Sequence, residues 1–111
     1  MKFDEAKAGN ILILTAKESR VAADTVQSFK QGLADYVAQG NHKIVLDLSE
    51  VSFIDSSALG ALISVLKLVG SGGELVLCST QSTVATMLKL TRMNKIFRIF
   101  ENRDEAISAL A

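Results

Sequence analysis

The chain has 111 residues, nearly half of them hydrophobic, few aromatic and none proline. Twelve Lys and Arg balance twelve Asp and Glu. That composition is globular and lacks the charge excess of disordered chains. A neutral balance also argues against nucleic acid or an anionic membrane as the main partner, since both select a basic surface. One local basic group, Arg92, Lys95 and Arg98, is expected to be solvated.

The length suits one domain, residues 1–111, with a single modest core. The lone cysteine, Cys78, rules out an intramolecular disulfide and lies in the apolar run Leu75-Val76-Leu77-Cys78, where a buried inert thiol is expected. The start, Met1-Lys2-Phe3-Asp4-Glu5, has no apolar core of a signal peptide, and Leu59 to Val69 is too short to span a membrane and contains Lys67. A soluble cytoplasmic protein without repeats or linkers is the expectation.

Along the chain, Lys2 to Lys7 can form a weak strand, and Ala8-Gly9-Asn10 signals a turn into the apolar strand Ile11-Leu12-Ile13-Leu14. From Ala22 to Gln39 the pattern is helical, with Val26, Phe29, Leu33, Tyr36 and Val37 on one face and Gly40 as the stop. His42 to Leu48 is the next strand. A loop leads to a helix from about Ser57 to Val69, ended by Gly70-Ser71-Gly72-Gly73. Glu74 to Ser79 is a further buried strand. Ser79 or Thr80 can cap a third helix carrying Val84, Met87, Leu88 and Met93. Ile96 to Phe100 reads as a short edge strand, and Asn102-Arg103-Asp104-Glu105 as a capping box opening a last helix through Leu110. Strand–helix–strand order implies parallel neighbours, so the expected fold is α/β, a mixed sheet of four or five strands flanked by about four helices.

The informative stretch runs from Asp47 to Gly60. The strand ends near Leu48 and the second helix begins just after Ser56, which places Ser56 at or beside the N-cap. Local chemistry alone reads Asp55 and Ser56 as capping residues. A phosphate on Ser56 would nonetheless sit at the positive end of the helix, adding about two negative charges beside Asp55. Such a form is tolerated by the fold and altered at the surface, as a switch requires. In the helix, Leu59, Leu62, Ile63, Leu66 and Val69 form a core stripe, opposite the small stripe Ser57, Gly60, Ser64 and Lys67, with Ala58 and Ala61 at its flanks. Gly60 in a helix interior costs roughly 1 kcal/mol relative to alanine. Either a partner's backbone or another part of the fold approaches it closely.

The segment Val45-Leu46-Asp47-Leu48-Ser49-Glu50-Val51-Ser52-Phe53-Ile54-Asp55-Ser56-Ser57-Ala58-Leu59-Gly60 resembles the STAS domain family, named for sulfate transporters and anti-sigma factor antagonists. The likeness continues through Gly70 to Leu75, Met87 and Lys95-Ile96-Phe97, and is looser over the first third. It implies a stand-alone bacterial regulator in which Ser56 is the kinase target and Ser57 the second, usually unmodified serine. The resemblance further implies that the unphosphorylated form binds a serine kinase that doubles as an anti-sigma factor, and that a PP2C-type phosphatase restores this form. Asp55, Ser57, Ala58, Gly60, Ser64 and Lys67 are then the expected partner-binding residues, with Asp47 supporting the loop. Two departures stand out: Ala58 replaces a usual glycine, and Arg20-Val21-Ala22-Ala23 carries alanine where many members have a partner-contacting aspartate, with Asp24 two positions later.

Two rivals are a STAS scaffold subunit of a transport or signalling complex, which needs no hydroxyl at Ser56, and a hydrolase using Ser56, His42 and Asp47. Against the second, His42 opens the strand whose far end leads to Ser56, and no nucleophile elbow is present. The expectation is a non-catalytic protein, monomeric when free, using no cofactor or metal.

Overall fold

In the computed structural model, which describes residues 2–111, seven strands and four α-helices follow the chain. Strands β1 (Phe3–Ala8) and β2 (Ile11–Ala16) form the expected antiparallel hairpin. The turn between them uses Gly9 at φ 63°. Strands β4 (Lys43–Asp47), β6 (Glu74–Cys78) and β7 (Ile99–Phe100) then add in parallel, giving the order β1-β2-β4-β6-β7. A second, two-stranded parallel sheet pairs β3 (Arg20–Val21) with β5 (Phe53–Ile54).

Helices α1 (Val26–Ala38), α2 (Ser56–Val69) and α3 (Ser82–Leu90) cover one face of the large sheet, and α4 (Arg103–Leu110) covers the other. The strand sequences explain this division. Leu12, Leu14, Ile44, Leu46, Leu75 and Leu77 point toward α1–α3, while Ile11, Ile13, Val45, Val76 and Cys78 meet Ala106 and Leu110 of α4. Continuous apolar runs are therefore buried on both faces, as parallel strands with crossover helices require. Each fully buried aliphatic side chain contributes about 1.5–3 kcal/mol. Burial also raises the Cys78 thiol above its ordinary value, which keeps it protonated.

Several boundaries differ from the sequence expectation. Helix α1 begins at Val26, not Ala22, because Thr25 Oγ1 accepts from the Ala22 N–H and holds residues 22–25 in a turn. Helix α3 is entered from Gln81, with no side-chain cap from Ser79 or Thr80, and Ser79 instead takes a left-handed φ of 60°. Met93 lies beyond α3, in the short 3₁₀ helix Met93–Lys95. The last helix is capped as expected, the Asn102 carboxamide oxygen accepting from the Glu105 N–H at 2.9 Å.

Gly60 and Gly73 behave oppositely. A Cβ at Gly73 would strike the Val69 side chain and stand 2.6 Å from the His42 carbonyl oxygen, whereas one at Gly60 would meet nothing within 4 Å. Gly73→Ala is therefore expected to destabilise the fold by about 1–3 kcal/mol. Gly60→Ala should stabilise it by up to about 1 kcal/mol through helix propensity. Urea denaturation of the two variants checks the pair, and equal effects would contradict the placement of either glycine.

Candidate functional site

The segment between β4 and α2 leaves the C-terminal edge of the sheet and is held on all sides. Asp47 Oδ1 accepts from the Ser49 N–H at 2.8 Å as the strand ends. Gln81 Nε2 donates to the Ser49 carbonyl at 2.8 Å, and Thr83 Oγ1 to the Ser52 carbonyl at 2.6 Å, tying the loop to the start of α3. On the other side the Ser19 carbonyl accepts from the Ser52 and Phe53 N–H groups, and β5 pairs with β3. Apart from Asp47, each of these partners is more than thirty residues away in sequence, beyond the reach of local pattern.

Asp55 is the junction. Its extended backbone makes it the N-cap of α2, and its Oδ1 accepts from the Ser57 and Ala58 N–H groups at 3.0 and 3.2 Å and from the Ser57 hydroxyl. Its Oδ2 accepts from the Ala23 N–H at 3.0 Å, joining the β3–α1 loop to the start of α2. The Ser57 hydroxyl, with the Ala58, Ala23 and Ser57 N–H groups, holds the Asp55 carboxyl below the usual carboxylate range against the opposing effect of desolvation. Ser56 is the first helical residue, beside the cap as expected and not the cap itself, and it is exposed. Ser57 is half-buried with its hydroxyl committed to Asp55.

The helix face is partly as expected. Gly60 and Lys67 are exposed and align with Ser56, while Ser64 is half-buried with its hydroxyl donating to the Gly60 carbonyl at 3.1 Å. Ala58 requires correction: at 1 % exposure it lies in the core, with Ala61 and Val65, and offers no side chain to a partner. The core stripe of α2 is thus rotated toward Ala58, Ala61 and Val65, leaving Ile63 and Leu66 only partly buried. The open space at Gly60 removes close packing within the chain as the reason for this glycine.

Around this core of the site, Arg20 Nη1 donates to both carboxylate oxygens of Asp24 at 2.6 and 2.7 Å. Asp24, two positions beyond Ala22, is therefore already paired within its own loop. The Arg20 guanidinium also lies 5.8 Å from the Phe53 ring centroid. Phe53, nearly half exposed, borders a recess of about 380 Å³ with Ile54, Thr83 and Met87.

Asp47 is buried and accepts at Oδ2 from Arg103 Nη2 at 3.1 Å. The same nitrogen donates to Thr15 Oγ1 at 2.8 Å. Asp47 thus holds the start of the loop through Ser49 and links it to α4 through Arg103, a contact with no local signal because Arg103 lies 56 residues away within a capping box. His42 precedes β4, whose other end leads toward Ser56, so the five-residue strand, about 17 Å long, separates the two. Ser56, His42 and Asp47 do not assemble as a triad. Among the described residues no group of His, Cys, Asp and Glu side chains is placed to hold a metal ion, and no helix is long and apolar enough to cross a membrane.

With this geometry in place, the likeness to known proteins is specific. The STAS domain model matches residues 3–106, and the chain belongs to that family. A Thermotoga maritima protein, provisionally named an anti-sigma factor antagonist, is 32% identical over 99 residues, covering 87% of this chain and 86% of its own. The anti-sigma F factor antagonist of Paenibacillus polymyxa is 35% identical over 68 residues, 60% of this chain and 58% of its own. A crystal structure of the Thermotoga maritima antagonist superposes with a TM-score of 0.87 at 30% identity, covering 96% of this chain and 92% of that one.

Two outcomes test the site's construction. Asp55 has a lowered folded value, so its contribution to stability is present above the ordinary carboxylate range and is lost as pH falls through that lowered value. Asp55→Asn should therefore flatten part of the acid limb of the stability profile measured by urea titration, and an unchanged limb would remove Asp55 from this role. Arg103→Ala leaves the buried Asp47 carboxylate short of its charged donor and is expected to cost about 1–3 kcal/mol by the same measurement.

Proposed function

We propose that this chain, as one STAS unit over residues 1–111, is an anti-sigma factor antagonist-type switch whose unphosphorylated form binds a serine kinase serving as the anti-sigma factor, and that phosphorylation of Ser56 turns this binding off. The observation that carries the reading is the division of labour between neighbouring residues. Asp55 caps α2 and Ser57 donates to Asp55, which leaves exposed Ser56 without a part in the cap. The names of the related antagonists support the same reading.

The chemistry of the modification follows from the cap. A free helix N-terminus would draw in a phosphate through its N–H groups. Here the Asp55 carboxylate already occupies those of Ser57 and Ala58. A phosphoryl group on Ser56 therefore stays outward, repelled by Asp55, and places about two negative charges on the face formed by Gly60, Ser64 and Lys67. A kinase that closes over that face in the unmodified state meets an unpaired, partly desolvated dianion in the modified one. In this reading the chain is substrate and ligand, not catalyst, acts in the cytoplasm, is monomeric when free, and is reset by a PP2C-type phosphatase.

The deciding experiment is intact-mass measurement with site mapping on protein purified from its native cells under phosphatase inhibition. A species heavier by one phosphoryl group, mapped to Ser56, is the expected result. Mapping to Ser57 would transfer the role to that residue, and no modification under any growth condition would favour a constitutive scaffold. With the cognate kinase in hand, Ser56→Ala should bind and resist modification, and Ser56→Asp should bind at least about tenfold more weakly. Ser56→Asp should also shift the Ala23 amide resonance in solution NMR, since added charge acts on the carboxylate that Ala23 contacts.

A further inference from the structure

The overall neutrality of the chain conceals a segregation of charge. Between Glu74 and Glu101 there is no acidic residue, while Lys89, Arg92, Lys95 and Arg98 fall within ten positions. All four are exposed. Arg98 reaches Glu74 at 3.3 Å, but among the described residues Lys89, Arg92 and Lys95 have no carboxylate within ion-pairing distance. The helix dipole accounts for Lys89, in the last turn of α3; Arg92 and Lys95 lie beyond it.

The same ten positions hold two of the four large exposed hydrophobic residues, Leu90 at 76 % and Ile96 at 50 %. Their exposure is not looseness. The segment is closed by successive turn bonds, Thr91 N–H to the Met87 carbonyl, Arg92 to Lys89, Lys95 to Arg92 and Ile96 to Met93. Arg92 takes a left-handed φ of 62° to make the corner. From below, Leu88 and Phe97 are buried and Met93 packs against the core, so the turn is held firmly with Leu90 and Ile96 outward.

We propose that this turn, residues 89–98, is a docking surface for an anionic lipid bilayer. The unpaired cations complement acidic headgroups, and two aliphatic tips set among them suit shallow insertion at the headgroup boundary. A turn that projects its apolar side chains singly fits a soft interface, whereas a folded protein partner would need a matching cavity for each. Few cations and two small tips make the attachment reversible. Helix α3, nine residues or about 13 Å long, separates the turn from the loop whose Ser52 carbonyl Thr83 contacts, so docking leaves Ser56 accessible. The inference is independent of whether Ser56 is phosphorylated.

The test is co-sedimentation of the full chain with vesicles of equimolar phosphatidylglycerol and phosphatidylcholine, against vesicles of phosphatidylcholine alone. Binding to the anionic vesicles only, weakened by salt, is the expected result. Arg92→Gln and Lys95→Gln should each weaken it about fivefold. Leu90→Ser should weaken it severalfold while leaving the thermal melt unchanged, since the side chain is exposed. Absence of anionic-vesicle binding at low salt, or binding indifferent to all three substitutions, would overturn the proposal. Absence of vesicle binding together with shifts of the residue 89–96 amide resonances on adding a synthetic Glu/Leu peptide would overturn it in favour of an acidic protein partner.

Discussion

Strand β4 is hydrogen-bonded on both edges, to β2 and β6, and buried on both faces, by α1–α3 on one side and by α4 on the other. That constraint shapes the rest of the molecule. A strand so enclosed cannot turn back in a hairpin, so the chain must leave at the C-terminal edge, cross over as α2 and return parallel as β6. The loop at the exit is consequently where backbone groups lack sheet partners. Asp47, Gln81, Thr83 and the Ser19 carbonyl supply partners to several of them. The loop is tied on several sides because the exit of a doubly buried strand leaves polar groups that must find partners, most of them from distant residues.

The same constraint explains the small β3–β5 sheet. Residues 53 and 54 run beyond the edge of the large sheet, and Arg20 and Val21 give them a parallel partner. Val21 and Ile54 are buried beneath this pairing, while Arg20 and Phe53 remain outward. Asp55 then completes the closure by accepting from the Ala23 N–H. Two loops separated by about thirty residues thus become one surface, and a charge placed near Asp55 acts on both. Electrostatic coupling across such a short carboxylate bridge needs no rearrangement of the sheet.

What could be read in the sequence follows the range of the interaction responsible. The apolar strands Ile11–Leu14 and Glu74–Ser79, the face of α1 and the Asn102 cap are set by neighbours a few positions apart, and they are found close to where the pattern placed them. The loop's ties to Gln81, Thr83 and Ser19 and the Asp47–Arg103 contact are set by the packing of distant segments and carry no local signal. Ala58 shows the limit most clearly. Its place beside the small stripe sets it among the expected partner-binding residues, and the structure buries it with Val65, two turns on along the same stripe. Ala58 is thereby accommodated inside the fold and does not thicken the exposed face.

The relation between Asp55 and Ser56 resolves a conflict inherent in modifying a helix terminus. If a serine hydroxyl were the cap, phosphorylation would replace a neutral acceptor by a dianion that the first N–H groups draw inward, and the helix terminus would be rebuilt as the charge was added. Here the acceptor is a carboxylate one residue earlier, held ionised by the Ser57 hydroxyl and by backbone N–H groups from both α2 and the β3–α1 loop. Ser56 can then carry charge while the cap stays made. Because Asp55 accepts from the Ser57 and Ala58 N–H groups that would otherwise draw a phosphate inward, a charge added at Ser56 would face the solvent or a partner's surface. In the proposed switch, the cap that stabilises the helix would also be the element that turns a phosphoryl group on Ser56 outward, so that one carboxylate would serve both roles without competition.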